Sequence, residues 1–531
     1  MVFAFAAWMG WQSYLTKKYP DAYKKNVVSQ KTDETTAAPG TIGADQNTAG
    51  VEKSGDVQSG ITSAPQVKNP EMLKNFEDET WSFQVSSRGM GLKNVFLKKY
   101  SDRAHMPISF STDEGASLFS TYLTGYKNPV DFVIKQNSEN LFVGEATVNG
   151  MKIIKTIEVS SLNYSFKTSI AIDNITPEFN GLITQLADKT NAKTGSMFSN
   201  QRFDSHEFYV EHEGKDSRVA IKNEAHLETF SQAHVAGLSS QYFTAAMLDN
   251  SQIIPDFKAK VTGTEASFAE GQFIYPVLNK DDKNYNLKYL AYVGPKSIEI
   301  LKTVDSSLTP LVNLGFFTFF AKKILWLMNT IHKAVGNWGL TIILLTILVR
   351  MIVLPFNVVG YKQMKAMAKI QPQIKVLREK YKTDQQQLNK EMMSLMKDAK
   401  ANPLGGCLPM LVQIPVFFAL YQVIGQSIEL YQAPFIFWIT DLSIKDPFYV
   451  LPVLMGITMY FQQKISPSTL EPAQQKIMAF LPIFFTFLMV SLPSGLTLYI
   501  FISSIFGVLQ QLYFMKDKES NTATQKLMVK T

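Results

Sequence analysis

The run LTIILLTILVRMIVLPF, residues 340–356, is apolar almost throughout and carries one charge, Arg350, near its middle. Such a stretch folds as a helix that water does not cover, so the arginine has to be accounted for. A charge at bilayer depth costs about 2.5–3.5 kcal/mol on insertion scales. It needs water, a partner or a purpose, and the rest of the chain decides which.

Four more apolar runs follow, giving five spanning candidates at 337–358, 407–425, 447–462, 477–492 and 495–514. Two of them fall short of the ~20 residues that a full span needs. The segments between them alternate in charge. Residues 361–405 hold ten Lys/Arg against four Asp/Glu, which is most of the net charge of +7. Residues 428–446 carry Glu429, Asp441 and Asp446 against Lys445, while 463–476 carry Lys464 and Lys476 against Glu471. The tail, 515–531, has Lys516, Lys518, Lys526 and Lys530 against Asp517 and Glu519. Basic loops lie on the cytoplasmic side, which puts the long polar segment before residue 300 outside. A surplus confined to one loop needs no nucleic-acid partner.

That polar segment divides by composition. The opening MVFAFAAWMGWQSYL is an apolar anchor, 1–16, giving ~22 Å of helix against a ~30 Å hydrocarbon core. It lacks the basic start and small-residue cleavage site of a signal peptide and is read as uncleaved, with its true start upstream. Lys17, Lys18, Lys24 and Lys25 run against an external position and are outweighed by the later loops. Residues 17–74 form a linker, flexible because 29–68 have almost no large apolar residues to offset ordering entropy. Between 75 and 303, short alternating runs such as WSFQVSS, DFVIKQ, LFVGEATV, YSFKTSIAI and RVAIKN are punctuated by Gly, Asn and Asp. This pattern predicts an all-β sandwich. The single cysteine, Cys407, excludes an internal disulfide and reads as a small buried hydrophobe. In 304–336, Lys322, Asn329 and Lys333 fall with Trp326 on one side of a helix, and Phe319, Phe320, Ile324, Leu327, Met328 and Ile331 on the other. That is an interfacial helix along the membrane or an amphipathic helix packed on the sandwich.

Arg350 lies about ten residues, ~15 Å, from Gly360 at the cytoplasmic end of its helix, too far for snorkelling alone. None of the five candidates contains an Asp or Glu to pair with it. Water is the solvent left, held by polar residues: Thr346 and Asn357 share the helix face of Arg350, and Tyr499, Ser503 and Gln510 form a stripe on the last helix. Gln413, Gln422 and Thr458 add to it from other spans. This predicts a hydrophilic groove open to cytoplasm and lipid. Anchoring of Arg350 on helix carbonyls or lipid phosphate is the alternative.

The basic loop at 361–402 reads as an antiparallel helical hairpin, with Thr383 or Asp384 capping its second helix and Asn402-Pro403 ending it. Met364, Met367, Met392, Met393 and Met396 give it either an adaptable surface for hydrophobic clients or a seam between its two arms.

The segments VGNWG, TILVRMIVLPF, KANPLGGCLPMLVQIPVFFALY, QAPFIFWITDLS, DPFYVLPVLMGITMYFQQKISP, QQKIMAFLPIFFTFL and PSGLTLYI occur in order over most of 335–510. They closely resemble the YidC membrane-protein insertase family of Gram-negative bacteria, and YVGPK at 292–296 resembles its outer domain more weakly. The resemblance implies a polytopic α-helical inner-membrane protein of six spans, with a five-helix insertase core at 337–514, both termini cytoplasmic, and an all-β periplasmic supersandwich. It implies a groove arginine at Arg350 and a substrate path by Thr346. The implied partners are nascent integral membrane proteins, the lipid bilayer, the Sec translocon and the ribosome. The anchor is shorter than the family's first helix. Tyr499-Ile500 stands where the family has an aromatic pair, so a contact at the second position does not carry over.

No cofactor is implied. The motif G-x-x-x-x-G-K-[ST] is missing, since Gly214-Lys215 is followed by Asp216, so energy comes from client burial, the membrane potential or the translocon. A transporter or channel is the competing reading, disfavoured because coupled transporters place an acid within the membrane. An enzyme is the other, on the strength of His105, His206, His212, His226 and His234 in a mutarotase-like sandwich; HEFYVEH is not the zinc motif H-E-x-x-H.

Overall fold

The computed structural model describes residues 70–528, apart from 103, 113–115, 161–162, 191–205, 222–224, 263–266, 278–282, 383, 402–407 and 467–471. The anchor, nearly all of the linker, Thr383, the Asn402-Pro403 stop and Cys407 lie outside the described residues, as do the side chains beyond 514.

Alternation builds the outer domain. Met151–Ser160 buries every second residue, and its partner Leu141–Val148 follows the same rule. The Asn149-Gly150 turn joins them with φ of +50° and +81°, the paired left-handed geometry that two-residue hairpins need. Among the described residues two nine-stranded antiparallel sheets result. One runs from Leu73–Glu77 through Trp81–Ser86, Leu92–Ser101, Ser117–Leu123, Gly181–Thr190, Ser267–Pro276 and Asp256–Thr262 to His226–Phe230, with Pro107–Phe110 paired beside Leu92–Ser101. The other runs from Lys215–Ala220 through Glu207–His212, Ala233–Ser239, Phe243–Asp249, Asn284–Pro295, Ser165–Asp173, Met151–Ser160 and Leu141–Val148 to Val133–Ser138. Their inner faces enclose Trp81, Phe83, Phe119, Phe142, Phe166, Phe208 and Phe257.

Helices take over at Ile298–Val304 (α1), followed by a 3-10 turn at Ser306–Leu311. Helix α2, Thr318–Val335, ends on Gly336 at φ +71°, a left-handed cap that glycine adopts without strain. It buries Ala321, Leu325 and Met328, one stripe at helical spacing, against the helices that follow. Phe319 and Phe320, on the expected apolar face, stand exposed together with Trp326.

Helix α3, Trp338–Lys380, is 43 residues long, ~64 Å. The sequence suggested a span ending near 358 and a separate hairpin helix; instead one helix leaves the apolar zone and becomes the first arm of the hairpin. Pro355 and Pro372 lie within it, each removing one backbone hydrogen bond. Asn337 caps its start, accepting from the Leu340 amide at 3.0 Å. The second arm is α4, Gln385–Asp398, capped by Asp384. Then come α5 (Leu408–Gln426), α6 (Val450–Ile465), α7 (Pro472–Met489) and α8 (Ser494–Met528). Among the described residues, α3 and the Ser494–Phe514 part of α8 are long and apolar enough to cross a membrane.

The outer ends of these helices meet one connecting segment. Asn337 donates to Phe435 O at 3.2 Å, and the Gly495 amide at the start of α8 donates to Leu442 O at 3.0 Å. The sandwich grips the same segment. Gln432 donates to Ser101 O and Asp102 O at 3.0 and 2.9 Å and accepts from Ser101 Oγ at 3.0 Å. Tyr431 donates to Ser101 O at 2.8 Å and packs on Tyr242 and Phe243. Ser297 donates to Glu429 at 3.1 Å. The sandwich is therefore seated on the helices.

Candidate functional site

Helices α3 and α8 lie against each other, and polar side chains join them at two levels. Arg350 donates from Nε to Ser503 Oγ at 2.8 Å, and its Nη2 reaches the same hydroxyl. Asn357 donates to Gln510 Oε1 at 3.3 Å. Both pairs are 153 residues apart in sequence. The step from one to the other is two turns on each helix, so they lie on one seam. Equal steps of the same sign also mean that α3 and α8 run parallel. Gln413 of α5 donates to the Tyr499 hydroxyl at 2.7 Å, one turn before Ser503 on α8.

The acceptor for Arg350 is neutral, and the apolar runs of α3, α5, α6, α7 and α8 hold no Asp or Glu. Among the described residues no carboxylate pairs with the guanidinium, which is positioned without being neutralised. Tyr361, one helix turn beyond Asn357, stacks on Phe514 of α8 at 5.4 Å between ring centres. Gln510 Nε2 and Gln511 Nε2 are buried without a hydrogen-bond partner among the described residues. An unsatisfied buried donor costs about 1–3 kcal/mol, so this seam favours water or a polar guest.

The residues singled out in the sequence separate into two groups. Arg350, Asn357, Gln413, Tyr499, Ser503 and Gln510 come together. Thr346 is fully buried, and its hydroxyl is spent on Ile342 O of its own helix at 2.6 Å. Thr458 donates likewise to Leu454 O at 2.7 Å. Gln422 faces the loop before α2, where a Cβ at Gly315 would sit 3.0 Å from its Nε2. Tyr361, Gln511 and Gln462, the last pressed on Gly507 of α8, were not picked out from the sequence. The signal was available only in part: Gln511 adjoins Gln510, and Tyr361 lies eleven residues, about three turns, after Arg350.

In the hairpin, Met367, Met392 and Met396 pack with Leu395 on a small core of Ile370, Ile374 and Ala401. Met364 is half-buried, and Met393 is 69% exposed. The methionines thus divide between a seam and one outward-facing residue.

Inside the sandwich, Lys155 is wholly buried and donates to Gly89 O, Phe119 O and Thr121 Oγ1 at 3.1, 2.7 and 3.1 Å. Burial holds its ammonium well below the ordinary lysine range. It ties the two sheets together. The alternation of its strand already points it inward, a signal the sequence offered.

A β-sandwich seated on helices that carry an arginine within an apolar span defines an integral membrane protein with a large external domain. A family model described as 60Kd inner membrane protein matches residues 330–522, and one described as YidC periplasmic domain matches 75–327. The Membrane protein insertase YidC of Geobacter sulfurreducens is 42% identical over 56% of this chain and 57% of its own length. That of Francisella tularensis subsp. holarctica is 37% identical over 76% of each chain. A solved structure described as an active YidC insertase with its first transmembrane domain resolved covers 83% of this chain and 95% of its own, at TM-score 0.38 and 18% identity. The chain belongs to the YidC family, inner-membrane proteins with a periplasmic domain.

Proposed function

We propose that this chain is a membrane protein insertase and chaperone whose clients, nascent integral membrane proteins, enter along the seam between α3, α5 and α8. The observation that carries the reading is Arg350, a fixed cation at membrane depth held by a neutral hydroxyl. A polar client segment crossing ~30 Å of hydrocarbon costs free energy at every unsatisfied group. A hydrated seam shortens that path, and an uncompensated guanidinium attracts acidic segments. Arg350, Asn357, Gln413, Tyr499 and Ser503 line the route, with Thr346 one turn further out. The exposed Met393 and its hairpin meet the client first.

The parallel course of α3 and α8 supports five crossings in the core. Apart from the hairpin arm α4, three helices lie between them, and α8 runs in the direction of α3 when an odd number of them cross; α5, α6 and α7, all apolar, supply three crossings. With the N-terminal anchor this gives six spans, both termini in the cytoplasm and the sandwich in the periplasm. The Sec translocon and the ribosome are the partners expected on either side of the client's route.

Photo-crosslinkers at 413 and 503, with 458 as the comparison, test the route during synthesis of a single-span client. Client adducts at 413 and 503 but not 458 are expected. Adducts at 458 alone would move the route to another face.

A further inference from the structure

The segment that seats the sandwich has a second side. Beyond Gln432 it turns outward and ends in a cluster of rings. Phe437 is 86% exposed and stacks on Trp438 at 6.0 Å, and Trp438 meets Phe448, 67% exposed, edge-on at 6.5 Å. The cluster is built. Trp438 Nε1 donates at 3.0 Å to Asp446, a buried carboxylate that also accepts the amides of Phe448 and Leu451. Phe437 and Tyr449 hold φ of +52° and +59°. Bulky residues adopt that region only where surrounding structure enforces it, and such strain collects at functional positions. Here it turns large rings away from the protein.

We infer that Ile436, Phe437, Trp438, Phe448 and Tyr449 form an aromatic wedge that sits in the outer headgroup layer of the bilayer. Through Gln432 on its other side, the wedge sets the height of the sandwich above the membrane. Continuity identifies lipid as the occupant. Tyr449 leads directly into α6, whose Val453, Leu454 and Ile457 are exposed apolar residues within the next two turns. The Lys445 ammonium lies 5.8 Å from the Tyr449 ring centre, a cation placed for lipid phosphate. Aromatic rings with one wet edge favour that layer. The inference rests on the chain crossing a membrane and is independent of the seam at Arg350.

The test uses the full chain in liposomes of phosphatidylethanolamine and phosphatidylglycerol, with Cys407→Ser and a nitroxide at Ile436→Cys, which leaves the rings intact. Lys127→Cys, on an exposed turn of the sandwich, is the aqueous control. Collision rates with oxygen and with a water-soluble nickel complex report depth. The oxygen-to-nickel ratio at 436 should exceed that at 127 several-fold, and Phe437→Ser with Phe448→Ser should return it to the control value. A ratio equal to the control, a label shielded from both reagents as in a protein interface, or no change on removing the two rings would each overturn the inference. Client insertion by the same preparations reports on the seam separately.

Discussion

Arg350 and Ser503 lie 153 residues apart, yet Arg350 Nε is 2.8 Å from Ser503 Oγ, and a second guanidinium nitrogen reaches the same atom. A hydroxyl orients the charge without cancelling it. Charge and shape at this site can therefore be separated by experiment.

If the field of Arg350 draws in acidic client tails, Arg350→Lys retains most insertion, whereas Arg350→Ala fails for acidic tails and Arg350→Glu is worse. A unit charge about 10 Å away at an effective dielectric of about 20 is worth ~1.7 kcal/mol, roughly a tenfold effect. Insertion of matched clients with acidic, neutral and basic tails, normalised to folded protein, measures this. Equal loss for all three tails would remove the electrostatic role. Loss with Lys as well as Ala, accompanied by loss of folded protein, would assign Arg350 to structure.

Ser503→Ala leaves the guanidinium free to turn away from the seam and should lower acidic-tail insertion by a few-fold, while Ser503→Thr, which keeps a hydroxyl, restores it. The comparison needs both variants at equal folded amounts. Indifference to Ser503→Ala would show that Arg350 needs no positioning.

The hairpin methionines should behave differently from one another. Met393→Asp is expected to reduce client capture while leaving the hairpin folded, and Met393→Leu to be tolerated because volume and apolarity are kept. Met396→Ala should instead destabilise the hairpin by about 2 kcal/mol, the low end for a truncated methionine because the site is only half-buried. Protease sensitivity of the hairpin separates the two effects, and equal sensitivity in both variants would contradict this division.

Gln432→Ala removes three hydrogen bonds between the sandwich and its seat and should weaken docking by about 1–3 kcal/mol. Deletion of much of 75–290 should nevertheless preserve insertion, because the polar seam lies wholly on the helices. A stably expressed deletion without insertion activity would show that the sandwich is part of the engine.

Burial, then the nearby Glu299, raises the Glu429 carboxyl above its usual range, opposed by the hydrogen bond from Ser297. A raised carboxyl favours the protonated form in the folded state. Its contribution is fully present below about pH 4.5 and is lost as pH rises through the raised value. Glu429→Gln keeps an acceptor for Ser297 and removes the charge, so it should raise Tm at pH 8 more than at pH 4.5. Thermal unfolding of the full chain at both values checks the sign, and an equal or opposite shift would reject it.

What the sequence determined by itself is local. Alternation at Met151–Ser160, the Asn149-Gly150 turn, the caps Asn337 and Asp384, and the apolar runs with basic residues at 361–405 all follow from spacing along one segment. They specify strands, helix starts and the side of the membrane each loop prefers. The family resemblance was legible for the same reason, in contiguous motifs. The tertiary structure decided which polar residues meet. Thr346, Gln422 and Thr458 are as polar as Gln413 and Ser503, yet their groups are spent on their own helices or face a different loop. Three of the five methionines turn inward, and α3 runs on through Gly360 where a break was expected. Rotation and crossing of neighbouring helices fix these outcomes, and they depend on side-chain packing between segments far apart in sequence. A spacing rule places a residue on a face; only the partner helix determines what that face touches.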